Sequence, residues 1–150
     1  MQGIRGRILG VDYGGRRIGL AVSDALGVTA QPAGTVSVSS PREALRALDE
    51  AVARHGAVHV VLGLPKSLSG AIGPKARETI RFAAAFQRTS RVPVSLWDER
   101  LTSAAAERVF DEAGLDTRKR RGKVDTMAAQ LILQGYLDAH GRRDAEESGA

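Results

Sequence analysis

The chain has 150 residues and no cysteine, which excludes a disulfide framework, a thiolate zinc site and a cysteine nucleophile. Its 43% hydrophobic content suits one domain with a true core and argues against wholesale disorder. A formal net charge of +5 and a pI of about 10.2 favour an anionic partner such as nucleic acid.

Residues 6–13 read as a strand that ends in Val11-Asp12-Tyr13-Gly14-Gly15. A tight turn follows, and Arg17 to Ser23 alternates as the second arm of a hairpin. A third, shorter strand is expected at 33–38, after Gln31-Pro32. Ser40-Pro41-Arg42-Glu43 is a capping box with proline at the first helical position. Leu45, Leu48 and Val52 continue at helical spacing, and Gly56 can close that helix. The apolar run at 58–64 suits a strand buried on both faces. Pro74 opens a second helix to about Gln87, with Ile80, Ala83, Ala84 and Gln87 on one face. A strand is expected from Val92 to Trp97, and helices at about 102–113 and 125–139. Three strands followed by helix-strand alternation predict an α/β fold, a mixed sheet with helices on both faces. One domain is expected over 1–140, with a disordered tail at 141–150 and mobile segments at 66–73 and 114–123. The start of the chain lacks the apolar stretch of a secretory signal, and no run is long enough to span a bilayer. A cytoplasmic protein without membrane contact is therefore expected.

Asp12 is the most informative residue. A carboxylate at the end of a buried strand must pair, bind a metal or face a cleft, because burying it unpaired costs several kcal/mol. Ligands of α/β sheets collect outside the carboxyl ends of parallel strands. Asp12, Lys66 and Asp98-Glu99-Arg100 therefore belong to one edge, and the first turn of the last helix, at Asp125, can bring another acid there. Several carboxylates held together call for cations, and Mg²⁺ or Mn²⁺ prefers such oxygen ligands. Two such ions suit phosphodiester cleavage. Basic residues flank the acids: Arg5, Arg7, Arg16 and Arg17 around Asp12, and Arg118, Lys119, Arg120, Arg121 and Lys123 before Asp125. Each acid also has a plainer reading. Asp12 can make a turn with the following amides, Asp125 can cap a helix, and Asp98 to Arg100 can form a surface ion-pair cluster.

Four segments in order resemble the YqgF family, also called RuvX. They are Gly10-Val11-Asp12-Tyr13-Gly14 with Arg17 to Asp24, Gly63-Leu64-Pro65 with Gly70 and Gly73, Asp98 to Thr102, and Lys123 to Ala129. The resemblance implies a ribonuclease H-like fold with sheet order 3-2-1-4-5 and strand 2 antiparallel to the rest. It implies a nuclease acting in 5′-end maturation of 16S rRNA, or on Holliday junctions. It carries the acid roles onto Asp12, Glu99 and Asp125, as both catalytic residues and Mg²⁺ or Mn²⁺ ligands.

In that strand order, strand 4 separates Asp12 from Glu99, so their backbones stand roughly 10 Å apart. The extra methylene of Glu99 and the missing side chain of Gly63 help close the gap. Asp98 is expected on the opposite face, as a supporting residue rather than a ligand. Arg16, Arg17, Lys66, Ser69, Arg100, Thr102 and the run Arg118, Lys119, Arg120, Arg121 and Lys123 are expected to hold nucleic acid. Expected partners are precursor rRNA or structured DNA and ribosomal precursor particles, bound by a monomer or a homodimer. A non-catalytic RNA-binding assembly factor is the second reading. A nucleotide phosphotransferase of the actin-like class is a third, but the chain has room for only one of the two domains such enzymes need.

Overall fold

The computed structural model describes residues 6–67, 69–99 and 126–140. In chain order they form β1 (Arg7–Tyr13), β2 (Arg17–Ser23), β3 (Ala30–Ser37), α1 (Pro41–His55), β4 (Ala57–Leu64), α2 (Pro74–Thr89) and β5 (Val94–Asp98). Residues 126–140 are helical. The sheet order is β3-β2-β1-β4-β5. β2 runs antiparallel to both neighbours, while β1, β4 and β5 are mutually parallel. The expected order and strand directions are therefore observed.

The central strands are apolar on both sides because both sides are covered. Leu9, Val11 and Leu62 join a core with Leu48 of α1 and with Phe82 and Phe86 of α2. Ile8, Ala21 and Val61 join a second core with Ala129, Ile132, Leu133 and Tyr136 of the 126–140 helix. Gly10 lets that helix lie close. A Cβ there would stand 2.7 Å from Leu133 Cβ and 3.0 Å from the Ala129 carbonyl. The helix's polar side is also tied down: Gln134 and Gln130 hydrogen-bond the Ala30 backbone, and Gln134 also reaches the Val28 carbonyl.

α1 starts and stops where the sequence indicates. Ser40 Oγ accepts from the Glu43 amide, and Gly56 adopts the left-handed conformation at φ 61°. The Glu43 carboxylate, however, accepts from Ser39 rather than completing the box on Ser40. Other expectations need correction. β3 starts at Ala30 and includes Pro32, which an edge strand tolerates. A bulge at Ala33 takes up the extra residue, since Leu20 pairs with Gly34 and Ala21 with Pro32. β5 runs over Val94–Asp98, two residues later at its start than expected. The buried face of α2 is Ala76, Thr79, Phe82, Ala83 and Phe86, while Ile80 is 38% exposed. Both stripes of α2 have helical spacing, but two phenylalanine rings gain more from burial than the Ile80 stripe. Within 66–73, the Gly70 amide donates to the Ser67 carbonyl, and Ser67 and Ala71 bond each other. The expected helix at 102–113, the segment 114–123, Asp125 and the tail 141–150 lie outside the described residues.

Candidate functional site

The parallel strands β1, β4 and β5 bring their carboxyl ends to one sheet edge, and this edge holds the acids. Strand alternation sets which face each side chain takes. Ile8 and Gly10 of β1 face the 126–140 helix, so Asp12 points to that face. Trp97 of β5 packs against Tyr136 on the same face, with ring centroids 6.0 Å apart, and Glu99 follows two residues later. Gly63 of β4 lies between them. A Cβ on Gly63 would overlap Ile132 Cδ1 and stand 2.8 Å from Glu99 Cγ. The space left by the missing side chain is thus where Glu99 crosses β4 towards Asp12.

The two carboxyl groups meet. Burial, the charge of Asp12 and a hydrogen bond with Asp12 push the Glu99 carboxyl up to about 7, with Lys75 opposing the rise and Asp98 adding to it. Two acids in contact cannot both ionise freely, so this pair is short of positive charge. Such a donor set, all oxygen and anionic, fits a hard divalent cation. Among the described residues, no group of three or more acids or histidines has metal-binding geometry. Asp125, the third expected acid, lies outside the described residues, but Thr126, where the described helix begins, is located. Thr126 Oγ1 donates to the Leu20 carbonyl at 2.9 Å, and Leu20 pairs with Val11, next to Asp12.

Asp98 takes the alternate position on β5, and its carboxylate lies 3.8 Å from Lys66 Nζ at the end of β4. Arg17 shares the Asp12 face by alternation through Gly19, which pairs with Asp12. Arg16 is exposed in the hairpin turn, where its carbonyl accepts from the Val38 amide. Ser69 is exposed and hydrogen-bonds Ser67. Arg100, Thr102, Arg118, Lys119, Arg120, Arg121 and Lys123 lie outside the described residues. The glycines after Asp12 have separate uses. A Cβ on Gly14 would stand 2.9 Å from the Arg17 carbonyl that closes the hairpin, whereas Gly15 faces open space.

Lys75 was missed in the sequence. It was visible as the second residue of a crossover helix that leaves β4 at the ligand edge. Tyr13, on the opposite face from Asp12, stacks on Phe82 with centroids 4.1 Å apart. Burial first and the Glu78 carboxylate second push its hydroxyl above the usual range.

Comparisons with known proteins identify the family and the fold. A relative from Halothermothrix orenii named "Putative pre-16S rRNA nuclease" is 42% identical over 132 residues, covering 88% of this chain and 94% of the relative. A relative of the same name from Myxococcus xanthus is 45% identical over 140 residues, covering 93% of each. Among solved structures, RuvC of T. thermophilus in complex with a Holliday junction substrate matches with TM-score 0.57 at 17% identity, over 90% of this chain and 95% of that one. The fowlpox virus Holliday junction resolvase matches with TM-score 0.53 at 20% identity, over 89% and 99%. These two likenesses identify the fold as ribonuclease H-like. A family model described as RuvX, Holliday junction resolvase, matches residues 6–139, and the chain therefore belongs to the RuvX family.

Proposed function

We propose that this chain is a metal-dependent nuclease that hydrolyses phosphodiester bonds, acting in the cytoplasm on the 5′ end of precursor 16S rRNA. The observation that carries the reading is the Asp12–Glu99 pair, drawn together across β4 through the space at Gly63. The relatives' shared name supports RNA as the substrate. The family description favours a second substrate, branched DNA.

Asp12, Glu99 and Asp125 would hold Mg²⁺ or Mn²⁺. When bound, such ions activate a water and stabilise the leaving oxygen of the broken bond. The chain's own residues do the rest. Glu99 would have to give up its proton to serve as a ligand, because a carboxylate binds a cation in its ionised form. Lys75 offsets part of the negative charge on Glu99. Lys66 is held at the edge by Asp98, where its ammonium can face a phosphate. Arg17 and Arg16 carry positive charge on the hairpin side of the same edge, and Arg100 and the 118–123 run would add further cations for phosphates.

The test incubates the protein with precursor rRNA and with a four-way DNA junction, each with Mn²⁺ and with chelator. Wild type should cleave in the presence of metal only, and Asp12→Asn should lose at least a hundredfold in rate. Identical, metal-independent products from wild type and Asp12→Asn would sink the mechanism. Salt-sensitive RNA binding with no cleavage by wild type would instead favour a non-catalytic assembly factor.

A further inference from the structure

A cavity lies across the sheet edge from the acids. It has a volume of about 450 Å³ and is lined by Tyr13, Gly15, Pro41, Glu78, Arg81 and Phe82. That volume falls in the range of small-ligand sites, roughly 300–1,000 Å³. One wall is aromatic: Tyr13 stacks almost parallel on Phe82, at 8°, so Tyr13 alone has a ring face left for a ligand. Phe82 is buried and fixes the pair, while Tyr13 is only partly buried. Glu78 and Arg81 are exposed on α2 at the rim and supply a hydrogen-bond acceptor and a cationic donor. Gly15 leaves its wall open, because a Cβ there meets nothing within 4 Å.

We propose that this cavity receives one unpaired nucleobase of the nucleic acid whose neighbouring phosphate lies at Asp12 and Glu99. The placement of that phosphate rests on the nuclease reading above. A flat tyrosine face held by Phe82 suits any base, since every base has a π-face. The acceptor and donor at the rim suit the polar edge of a base rather than an aliphatic ligand. The cationic Arg81, with Arg77 one turn before it on α2 and Arg16 in the hairpin, matches the strand's phosphates. Continuity supports the same occupant. Tyr13 directly follows Asp12, so a strand crossing the edge meets both sites in succession. A base inside a duplex is already stacked and paired, so the pocket selects strands that are single, frayed or extruded at this position.

The experiment uses the full chain in EDTA, so that cleavage plays no part in the readout. Short RNA and DNA strands, each with one 2-aminopurine, are titrated as single strands and as perfect duplexes. Wild type should bind the single strands at least tenfold more tightly and quench the probe. Gly15→Leu, which fills the cavity from its open wall, and Tyr13→Leu should each weaken binding about five- to a hundredfold. Thermal melting of both variants checks that they fold. A stronger response from one of the two strand types identifies that source of the base. Equal binding of single strand and duplex, or a folded Gly15→Leu that binds and quenches like wild type, overturns the base pocket. Absence of cleavage in the Mn²⁺ assay above, with intact quenching in EDTA, overturns the nuclease reading alone.

Discussion

Replacing Gly63 by alanine puts one methyl group into space already used by two neighbours. The new Cβ would overlap Ile132 Cδ1 and stand 2.8 Å from Glu99 Cγ. Ile132 is 1% exposed and packed into the core with Leu133, so its methyl has little room to retreat. An extra methyl in a packed core typically costs about 1–3 kcal/mol, and Gly63→Ala should fall in that range in urea denaturation. Ile132→Val removes Cδ1 and alone should cost about 0.5–1.5 kcal/mol. Combined, the two changes should cost less than their sum by about 1 kcal/mol, because the valine yields the space that the alanine takes. The contact with Glu99 is untouched by that repair. The double variant should therefore regain stability but still show weakened Mn²⁺ binding by calorimetry and slowed metal-dependent cleavage. Additive stabilities would refute the account of Gly63. Metal binding restored along with stability would separate Gly63 from the positioning of Glu99.

Other consequences are equally direct. Glu99 holds its proton up to about 7 when folded, against an ordinary 4.5. The stability this contributes is full below 4.5 and is lost as pH rises through 7. Glu99→Gln, which does not ionise, should escape that loss. Between pH 4.5 and 8.5 in chelator, wild type should fall relative to the variant by up to about 3 kcal/mol, and a constant difference would contradict the buried pair. The buried Ser23 hydroxyl accepts from the Ile8 amide at 2.8 Å, so Ser23→Ala leaves a buried donor unsatisfied and should cost about 1–3 kcal/mol by urea denaturation. Gly10→Ala should cost more than Gly63→Ala, because it meets Leu133 Cβ and a helix carbonyl, neither of which can swing aside. A lower denaturation midpoint for Gly63→Ala than for Gly10→Ala would reverse that ranking.

Much of this protein is legible in its residues. Asp12 closing an apolar strand, the alternation from Ser40 onward and the acids at Glu99 and Asp125 set the topology and the chemistry to look for. Strand alternation by itself puts Asp98 and Glu99 on opposite faces. Local pattern was less informative where two patterns competed. On α2, two stripes have helical spacing, and only the docking of Phe82 and Phe86 against the sheet selects between them. Pro32 reads locally as a break, but on an edge strand its missing amide leaves no partner unsatisfied.

The sequence alone determined which groups are available: acids at strand ends, small residues at Gly10 and Gly63, and positive charge beside them. Local propensity and periodicity depend on near neighbours, so they can be read along the chain. Tertiary structure decided what those groups meet. Asp12 and Glu99 are 87 residues apart in sequence, and their contact depends on strand order, on the register of β4 and on a helix close enough to seal the face above them. The same packing decided that Gly14 serves the hairpin while Gly15 opens onto a cavity, and that Lys75 stands near Glu99. Charge and burial act through space, so the proton on Glu99 belongs to the folded arrangement and to no segment taken by itself.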